Sequence, residues 1–364
     1  EATVELWASN GSSCTGGAPL QTTNANEVDG SYSFSGVALP DDYCVRVVNT
    51  SFLTNRPTSG GGLAIQTFRV ESTDGFGTLD AIVNEVGGRS PGDVDSAANT
   101  FDDSYGDGIA AQSWSLISVG SSGISGIDFG YSFNTVVNTN SAGQGSLRQF
   151  ILNANAMNDA AGDGLAQSGQ TAGIDVSIFA IPASDPNYNL LAQGEYYIGL
   201  DVSDGAFASL TSPVELNATT QTGISCPVPR IHIDGSALTG ADGFDISVAA
   251  DGSLVRGFVI NGFDGYGIDL SADNSTLDCN YIGTDIGGNA SGNGGNDRGI
   301  RITGDNNLVG GDRSTSGNVI SGNNNGGLQI IGSGNQIYGN YIGLGSNGAS
   351  QVANGGNGVS ISGS

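Results

Sequence analysis

The chain has 364 residues, and glycine supplies 61 of them, about one in six. The glycines lack the strict third-position period of collagen, which excludes a collagen triple helix. Charged residues make up 13% of the chain and hydrophobic residues 37%, so a sizeable core can form and disorder throughout the chain is excluded.

The charge balance narrows the range of partners. There are 36 acidic residues against ten basic ones, all of them arginine, and the net charge is −26. Such a surface repels phosphate backbones and anionic lipids, so we expect no nucleic-acid partner and regard divalent cations as more natural ligands. No apolar run approaches the roughly 18 residues of a membrane span, so we expect no membrane insertion. The chain opens at Glu1 inside a strand-like pattern without a signal peptide, and we interpret it as a mature or trimmed product.

The four cysteines are Cys14, Cys44, Cys226 and Cys279, without the CxxC or Cys/His spacing of a zinc site. We expect two disulfides. Cys14 and Cys44 flank one small predicted β-domain, and Cys226 and Cys279 form the remaining pair; buried free thiols are the alternative. Disulfides imply an oxidising compartment and hence an exported, extracellular protein.

Residues 1–132 contain short alternating segments separated by turn signals. The segments are TVELWAS, DGSYSFSGV (29–37), DDYCVRVVNT (41–50), SWSLISV and GIDFGYSF. Alternation over short stretches with frequent turns predicts antiparallel strands. We therefore expect a β-sandwich over 1–132.

A linker and a capping helix are predicted over 133–175. The segment GSLRQFILNANAMND (145–159) places Leu147, Phe150, Ile151 and Ala154 at helical spacing. One amphipathic helix directly before a repetitive β-region is typical of a cap over the open end of a solenoid. A helix packed on the sandwich is the alternative.

Residues 176–364 are predicted to form a parallel β-helix, which makes the fold class all-β. Two elements recur every 22–32 residues and are separated by Asn, Gly and Asp turns, a pattern that favours β-helix coils over hairpins. Ile246, Ile268, Ile300, Leu328 and Val359 are the expected equivalent positions of the first element. The first element is GFDISV (243–248), GYGIDL (265–270), RGIRIT (298–303), GGLQII (326–331) and NGVSIS (357–362), and the second is GFVING (257–262), CNYIGT (279–284), GNVISG (317–322) and GNYIGL (339–344).

Coil stacking gives these residues structural roles. Alternate strand residues should form internal aliphatic ladders, and the corner asparagines Asn280, Asn318 and Asn340 should bond from coil to coil. The longer spacings predict loops inserted at one corner, GTDIGGNASGNGGND (283–297) and GLGSNGASQVANGGN (343–357), which we call the first and second T-loop. The aliphatic ladders are expected from Ile268, Leu270, Ile300, Ile302, Leu328 and Ile330.

The first 50 residues resemble a known family. The pattern TVELW…DGSYSFSGVALPDDYCVRV is similar to the B-type repeats of Gram-positive collagen adhesins and serine-aspartate surface proteins. Asp42 replaces the glycine that usually precedes the last tyrosine. The lysine-to-asparagine crosslink of many such domains is excluded here because the chain has no lysine.

A second resemblance covers about 129–364. The stretches FGYSFNTVVNTNSAGQGSLRQFILNANA, IHIDGSALTGADGF, LVRGFVINGFDGYGIDL and NYIGTDIGGN look like the right-handed β-helix repeat of large secreted or surface-displayed bacterial proteins. PVELNATTQ lacks the Asp-Gly turn that is usual in the first coil. The resemblance implies right-handed coils and a bacterial cell-surface location. Because the chain stops at Ser364 without a cap, we expect more sequence beyond it or a neighbouring subunit.

We find no convincing catalytic constellation, and predict that the protein is not an enzyme. Arg298 and Arg301, close to Asp297, could mimic a lyase base, but surface ion pairing is the simpler interpretation. His232, the single histidine, should point outward between Ile231 and Ile233 and has no Ser or Cys partner motif for a triad.

An acidic cluster is the candidate metal site. Hard oxygen ligands at this density suit Ca²⁺, although the glycine and closing glutamate of an EF-hand are missing; a solvated acidic loop is the alternative. The candidate ligands, within PGDVDSAANTFDDSYGDG (91–108), are Asp93, Asp95, Asp102, Asp103 and Asp107.

These observations favour a secreted or cell-surface structural or adhesive protein, a stiff stalk or extracellular fibre subunit whose partner is another copy or a surface glycan. Self-assembly would proceed head to tail or by strand addition. The rival hypothesis is a polysaccharide-binding or polysaccharide-degrading protein, lyase or hydrolase. Its candidate ligand-binding residues are Tyr266, Tyr281, Tyr341 and Asp285, and the tyrosines of the two N-Y-I-G segments are expected at equivalent coil positions, where they could stack on each other.

Overall fold

The computed structural model separates the chain into two compact units. The first contains residues 1–133 with 143–145, and the second contains 134–142 with 146–364. No helix among the described residues is long and apolar enough to cross a membrane. The described residues are 2–11, 14–15, 17–26, 28–48, 51, 63–72, 78–82, 85–89, 91, 113–157, 173–190, 192–291 and 294–362.

The first unit is the antiparallel β-sandwich that the sequence predicts. One sheet has the order β2-β1-β4-β7, with β3 also paired to β1, and the other has the order β6-β5-β8. The strands are β1 (Thr3–Ser9), β2 (Cys14–Thr15), β3 (Gln21–Asn24), β4 (Asp41–Val48), β5 (Ile65–Ser72), β6 (Leu79–Ile82), β7 (Trp114–Val119) and β8 (Phe129–Ser132).

Strand alternation gives the five-stranded sheet of the sandwich two different faces. Val4 and Leu6 pack with Val45 and Val47 of β4 in one apolar cluster. The other face carries Trp7 and the Cys14–Cys44 disulfide, which confirms the first expected bridge.

The prediction of a strand at DGSYSFSGV (29–37) is wrong. Its residues join no strand ladder. Tyr32 and Phe34 instead pack as partly buried side chains against the apolar cluster, and the Tyr32 hydroxyl is bonded to the carbonyl of Ile127. The alternation of apolar and polar residues correctly indicated which side chains face the core. A β-ladder, however, also requires a neighbouring strand in register.

The second unit contains a helix and a series of short strands. The helix α1 (Leu147–Met157) confirms the predicted amphipathic segment, because Leu147, Phe150, Ile151 and Ala154 are all buried. In chain order the strands are β9 (Thr135–Val136), β10 (Asp175–Val176), β11 (Ile178–Phe179), β12 (Tyr188–Asn189), β13 (Glu195–Gly199), β14 (Val214–Asn217), β15 (Ile231–Asp234), β16 (Phe244–Ile246), β17 (Leu254–Arg256), β18 (Phe258–Asn261), β19 (Tyr266–Leu270), β20 (Thr276–Asp278), β21 (Tyr281–Ile282), β22 (Arg298–Ile302), β23 (Leu308–Gly310), β24 (Val319–Ile320), β25 (Gly326–Ile330), β26 (Gln336–Tyr338), β27 (Tyr341–Ile342) and β28 (Val359–Ile361).

These strands stack into long parallel sheets, as a parallel β-helix requires. We call β10-β14-β17-β20-β23-β26 the first sheet, β12-β13-β15-β18-β21-β24-β27 the second and β16-β19-β22-β25-β28 the third. Only the β12–β13 pair is antiparallel among them. Each coil therefore visits three sheets in turn, for example through β17, β18 and β19.

The prediction of two strands per coil is wrong, because the first sheet was missed. Within the continuously described residues 254–291, each coil contains a third strand such as Leu254–Arg256 or Thr276–Asp278. These two strands share no motif, unlike the Asn-led segments at 279–284, 317–322 and 339–344 that indicate the second sheet.

The register of the third sheet corrects one equivalence. Ile268, Ile300, Leu328 and Val359 are paired as expected. Ile246, however, lies opposite Leu270, and Phe244 lies opposite Ile268. A shift of two residues keeps every side chain on its own face, so hydrophobic alternation alone does not detect it.

The coil interior is an apolar core of aliphatic and aromatic side chains. The expected ladder residues are buried, and the apolar face of α1 belongs to the same hydrophobic cluster. At about 25 cal/mol per Å² of apolar surface, this continuous burial is the main favourable term for the unit.

Asparagines bind successive coils together at the corner between the first and second sheets. Asn318 accepts a hydrogen bond from the backbone N–H of Asn280 (2.9 Å), and its own N–H donates to the side chain of Asn340 (3.0 Å). The Asn318 side chain also donates to the carbonyl of Leu277 (2.8 Å). This confirms the asparagine ladder that the sequence predicts.

The other two corners repeat this arrangement, which the sequence interpretation missed. Between the second and third sheets, Asn296 donates to Asn323 (3.1 Å) and Asn323 to Asn354 (3.0 Å). Between the third and first sheets, the N–H of Asn307 donates to the Asn335 side chain (2.8 Å). Since each side-chain amide both donates and accepts, the corner backbone groups have partners without water.

Candidate functional site

A column of mostly aromatic and aliphatic side chains follows the outer face of the second sheet. Val319 lies between Tyr281 and Tyr341 in this column, so the two tyrosines are two coils apart rather than directly stacked, and the expectation that they stack is wrong. In strand order the column contains Tyr197, His232, Val259, Tyr281, Val319 and Tyr341.

The two T-loops fold against this column. Ile286 of the first T-loop packs on the apolar cluster that contains Val259 and Tyr281. Ser346 of the second T-loop donates to the carbonyl of Gly287 (2.7 Å), so the loops are bonded to each other. Both loops close through similar antiparallel bridges, Thr284 with Ala290 and Leu344 with Gln351.

Beside the T-loops the column opens into a cavity of about 390 Å³, which we call the tyrosine cleft. This volume lies within the range of about 300–1,000 Å³ that is typical of small-ligand sites. Aromatic, charged and hydroxyl side chains line the cavity together with two glycines. The lining residues are Pro227, Tyr281, Asp312, Arg313, Ser314, Gly317, Val319, Gly339, Tyr341 and Ser346.

The two tyrosines form the walls of the cleft in different ways. Tyr281 is only 5% exposed, and burial raises the pKa of its phenol, although a hydrogen bond with Ser346 and the charge of Arg230 offset part of the increase. Tyr341 is half-buried, and the Arg313 guanidinium lies 5.0 Å above its ring centroid. That distance is within the range of a cation–π contact.

Charged groups lie at the rim. Asp312 accepts hydrogen bonds from the backbone N–H (2.8 Å) and the hydroxyl (2.5 Å) of Ser314, and these bonds lower the pKa of the carboxyl group. Its carboxylate is therefore directed to its own turn. Arg313 is exposed, and apart from the Tyr341 ring it has no ion pair or hydrogen bond among the described residues.

A disulfide fixes one side of the cleft. Cys226 is bonded to Cys279, which confirms the second expected bridge. Cys226 directly precedes Pro227, and Cys279 lies two residues before Tyr281. The covalent link therefore joins the chain segments that supply two lining residues, which limits how far that side can open.

His232 faces outward from the coil, as predicted, but lies buried. Its Nδ1 is 2.5 Å from the Glu195 carboxylate, and the side chain is only 7% exposed. The neighbouring Tyr197 hydroxyl donates to Asp234, and burial together with that carboxylate raises the pKa of the phenol. Nε2 of His232 has no hydrogen-bond partner among the described atoms.

The four predicted ligand-binding residues do not form one site. Tyr281 and Tyr341 line the cleft, whereas Tyr266 lies in the third sheet beneath the Arg301 guanidinium, 4.5 Å from its ring centroid. Asp285 accepts hydrogen bonds from the backbone N–H groups of Gly287 (2.9 Å) and Asn289 (2.7 Å), so it holds the turn of the first T-loop.

The arginines considered as a lyase base are in ion pairs. Arg301 donates to both carboxylate oxygens of Asp269 from one guanidinium edge, through Nε and Nη2, and Arg298 lies 3.8 Å from Asp297. The bonds to Asp269 raise the pKa of Arg301 still further, so its guanidinium is unsuited to accept a proton.

The calcium candidates Asp93, Asp95, Asp102, Asp103 and Asp107 lie outside the described residues. In the part of the chain that the structure describes, no group of three or more His, Cys, Asp or Glu side chains could hold a metal ion. The calcium site therefore stays a prediction.

Pro227, Asp312, Arg313 and Ser346 were missed as site residues by the sequence interpretation. The cleft joins residues from four separate segments, and only coil stacking brings them together. No protein-family model matches the chain, and no solved structure matches it significantly.

Proposed function

We propose that the protein is an extracellular structural or adhesive protein in which the β-helix serves as a stiff shaft. The observation that carries the proposal is the asparagine ladder at each corner, which links successive coils between Asn280 and Asn354 through side-chain amides. Such a shaft resists bending because each coil bonds to its neighbours over their whole perimeter. The two disulfides indicate an oxidising environment.

We further propose a bacterial cell-surface location, with a right-handed coil and kinship to collagen-adhesin B-type repeats and β-helix repeat proteins. The quoted sequence resemblances support this assignment. The acidic, lysine-free composition also suits a surface that must not adhere to nucleic acid or anionic lipid.

Electron microscopy of the full chain, with and without a calcium chelator, tests the structural role. Regular filaments would identify a fibre subunit that binds other copies of itself, and monodisperse rods would identify a stalk. Loss of filaments in chelator, reproduced by Asp102→Asn with Asp103→Asn but not by Asp305→Asn, would assign Ca²⁺ to the acidic cluster. Depolymerisation of an acidic polysaccharide by the homogeneous protein would contradict the proposal.

The second candidate function is polysaccharide binding, and the tyrosine cleft favours it. An aromatic-walled cavity with a few polar side chains is typical of saccharide recognition. A screen of immobilised glycans with the full chain tests it. We expect binding that Tyr341→Leu removes while the thermal transition persists. Binding that survives Tyr341→Leu would contradict a role for this cleft.

A further inference from the structure

We propose that the tyrosine cleft binds a sugar residue that carries an anionic group, a carboxylate or a sulfate ester, and that Arg313 pairs with that group. The inference rests on the second candidate function, polysaccharide binding, and specifies the chemical class of its ligand.

Arg313 is one of three described arginines, with Arg148 and Arg230, that lie outside ion-pair distance of a carboxylate. Acidic residues outnumber arginines 36 to ten, so an arginine without a carboxylate partner is unexpected. Among the described residues the Arg313 guanidinium nevertheless has no ion pair or hydrogen bond, and it lies over the Tyr341 ring. The described arginines that lie within ion-pair distance of a carboxylate are Arg46, Arg69, Arg89, Arg256, Arg298 and Arg301.

A second arginine lies close enough to act on one wall of the cleft, although it does not line the cavity. Arg230 influences the Tyr281 phenol electrostatically, and within the described residues it makes no ion pair. Its Nη1 atom is buried without a hydrogen-bond partner. Buried guanidinium N–H groups are costly to leave without an acceptor, and the positive charge of Arg230 adds to that of Arg313 in favouring an anion near Tyr281.

The nearby acid keeps its negative charge but makes no ion pair with Arg313 among the described residues. The Asp312 carboxylate is engaged by the backbone N–H and hydroxyl of Ser314. Arg313 lies in the same turn on a flexible side chain and can leave the Tyr341 ring at small cost, because an exposed cation–π contact is weak. Pairing with an anionic oxygen through two parallel N–H groups would be stronger.

The remaining lining suits a sugar rather than a bare anion. Tyr341, Pro227 and Val319 offer apolar surface for a pyranose ring, and the Ser314 and Ser346 hydroxyls lie at the edge of the cavity. A free inorganic anion would pair with the arginines but would leave this apolar surface exposed to water. The ligand is therefore an anionic saccharide.

The test compares short oligosaccharides by isothermal titration calorimetry on the full chain. The probes are trigalacturonate, a sulfated trisaccharide, the neutral galactotriose, and acetate and sulfate alone. Short probes at 0.15 M salt limit repulsion by the distant acids, because the Debye length there is about 8 Å. The variants are Arg313→Gln, Arg313→Lys and, as the matched control, the exposed Arg298→Gln.

We expect at least one anionic trisaccharide to bind about tenfold more tightly than galactotriose, and Arg313→Gln to remove that preference. Arg313→Lys should keep part of it, and Arg298→Gln should keep all of it. The anionic probe that binds better distinguishes carboxylate from sulfate. The thermal transition of Arg313→Gln should match that of the wild type, since the side chain is exposed.

Several outcomes would overturn the inference. Equal binding of neutral and anionic trisaccharides, unchanged in Arg313→Gln, would remove the anionic specificity but leave polysaccharide binding intact. Equal binding of acetate or sulfate alone would reduce the site to one for simple anions. No binding of any trisaccharide would contradict both the inference and the second candidate function.

Discussion

The sandwich core and the coil corners of the β-helix bury polar groups of different kinds. The sandwich buries charge: Arg46 is bonded to Glu5 (3.2 Å), and Arg69 to Glu85 (2.7 Å), with both arginines almost fully buried. The β-helix buries neutral amides, among them Asn280 and Asn318, which are bonded to each other. A non-repetitive fold needs one specific partner for each buried polar group, whereas a repetitive fold can use the same bond again in each coil.

This difference has an energetic consequence. A buried ion pair gains its attraction only against a large desolvation cost, and removing one partner leaves a buried charge. An amide in a ladder carries no net charge and costs less to bury. The sandwich should therefore be more sensitive to a single substitution than the coils are.

The largest expected effect is that of Glu5→Gln in the sandwich. The substitution leaves the Arg46 guanidinium buried without its carboxylate, which should lower the free energy of unfolding by about 3–5 kcal/mol. Chemical denaturation monitored by the fluorescence of Trp7, whose indole N–H also donates to Glu5 (2.9 Å), reports the change. The double variant Glu5→Leu with Arg46→Leu is the control and should recover most of the loss. Equal losses in both variants would contradict the burial argument.

A smaller effect is expected from Asn318→Ala in the coils. It removes partners from the backbone N–H of Asn280 and the carbonyl of Leu277, and each buried group left unpaired costs about 1–3 kcal/mol. We expect a loss of about 3 kcal/mol, because backbone relaxation can recover part of the cost. Asn289→Ala, at an exposed T-loop position, is the matched control and should have little effect. A loss as small as that of the control would show that the ladder adds no stability.

The sequence predicted the coils better than it predicted the site. Each coil repeats the same glycine, asparagine and aliphatic positions, so several copies of one pattern indicated the third and second sheets. The first sheet has strands such as Leu254–Arg256 and Thr276–Asp278, which share no motif with each other, unlike the Asn-led segments of the second sheet. In the sandwich each strand pattern occurs only once. No second copy shows that the alternating segment 29–37 lacks a partner strand.

The cleft was only partly predictable for a related reason. Tyr281 and Tyr341 belong to the repeat and could be found, but Pro227 and Arg313 are 86 positions apart in the sequence. Their proximity depends on the number of residues in each coil, on the disulfide at Cys226 and on the turn that holds Arg313. The sequence predicts the disulfide, but it does not show how these segments lie against one another.

The smallest expected effect is a loss of stability at alkaline pH. Burial raises the pKa of Tyr32 in the sandwich and of Tyr196, Tyr197 and Tyr281 in the coils. A raised phenol pKa contributes stability that is fully present below the unfolded value of about 10 and is lost as the pH rises through the folded value. Absorbance at 295 nm should show these phenols ionising only above the pH at which exposed tyrosines do. Ionisation of all 11 tyrosines in one normal step, with the fold intact, would contradict this.

The most direct test of the account is hydrogen exchange of the full chain, measured by mass spectrometry peptide by peptide in the wild type and in Asn318→Ala. If the corner amides bind the coils together, exchange in Asn318→Ala should accelerate in peptides covering 276–282 and 317–342 and remain unchanged in those covering 3–9 and 41–48. Equal acceleration across both units, or none in the coil peptides, would contradict a β-helix held together by its asparagine ladders.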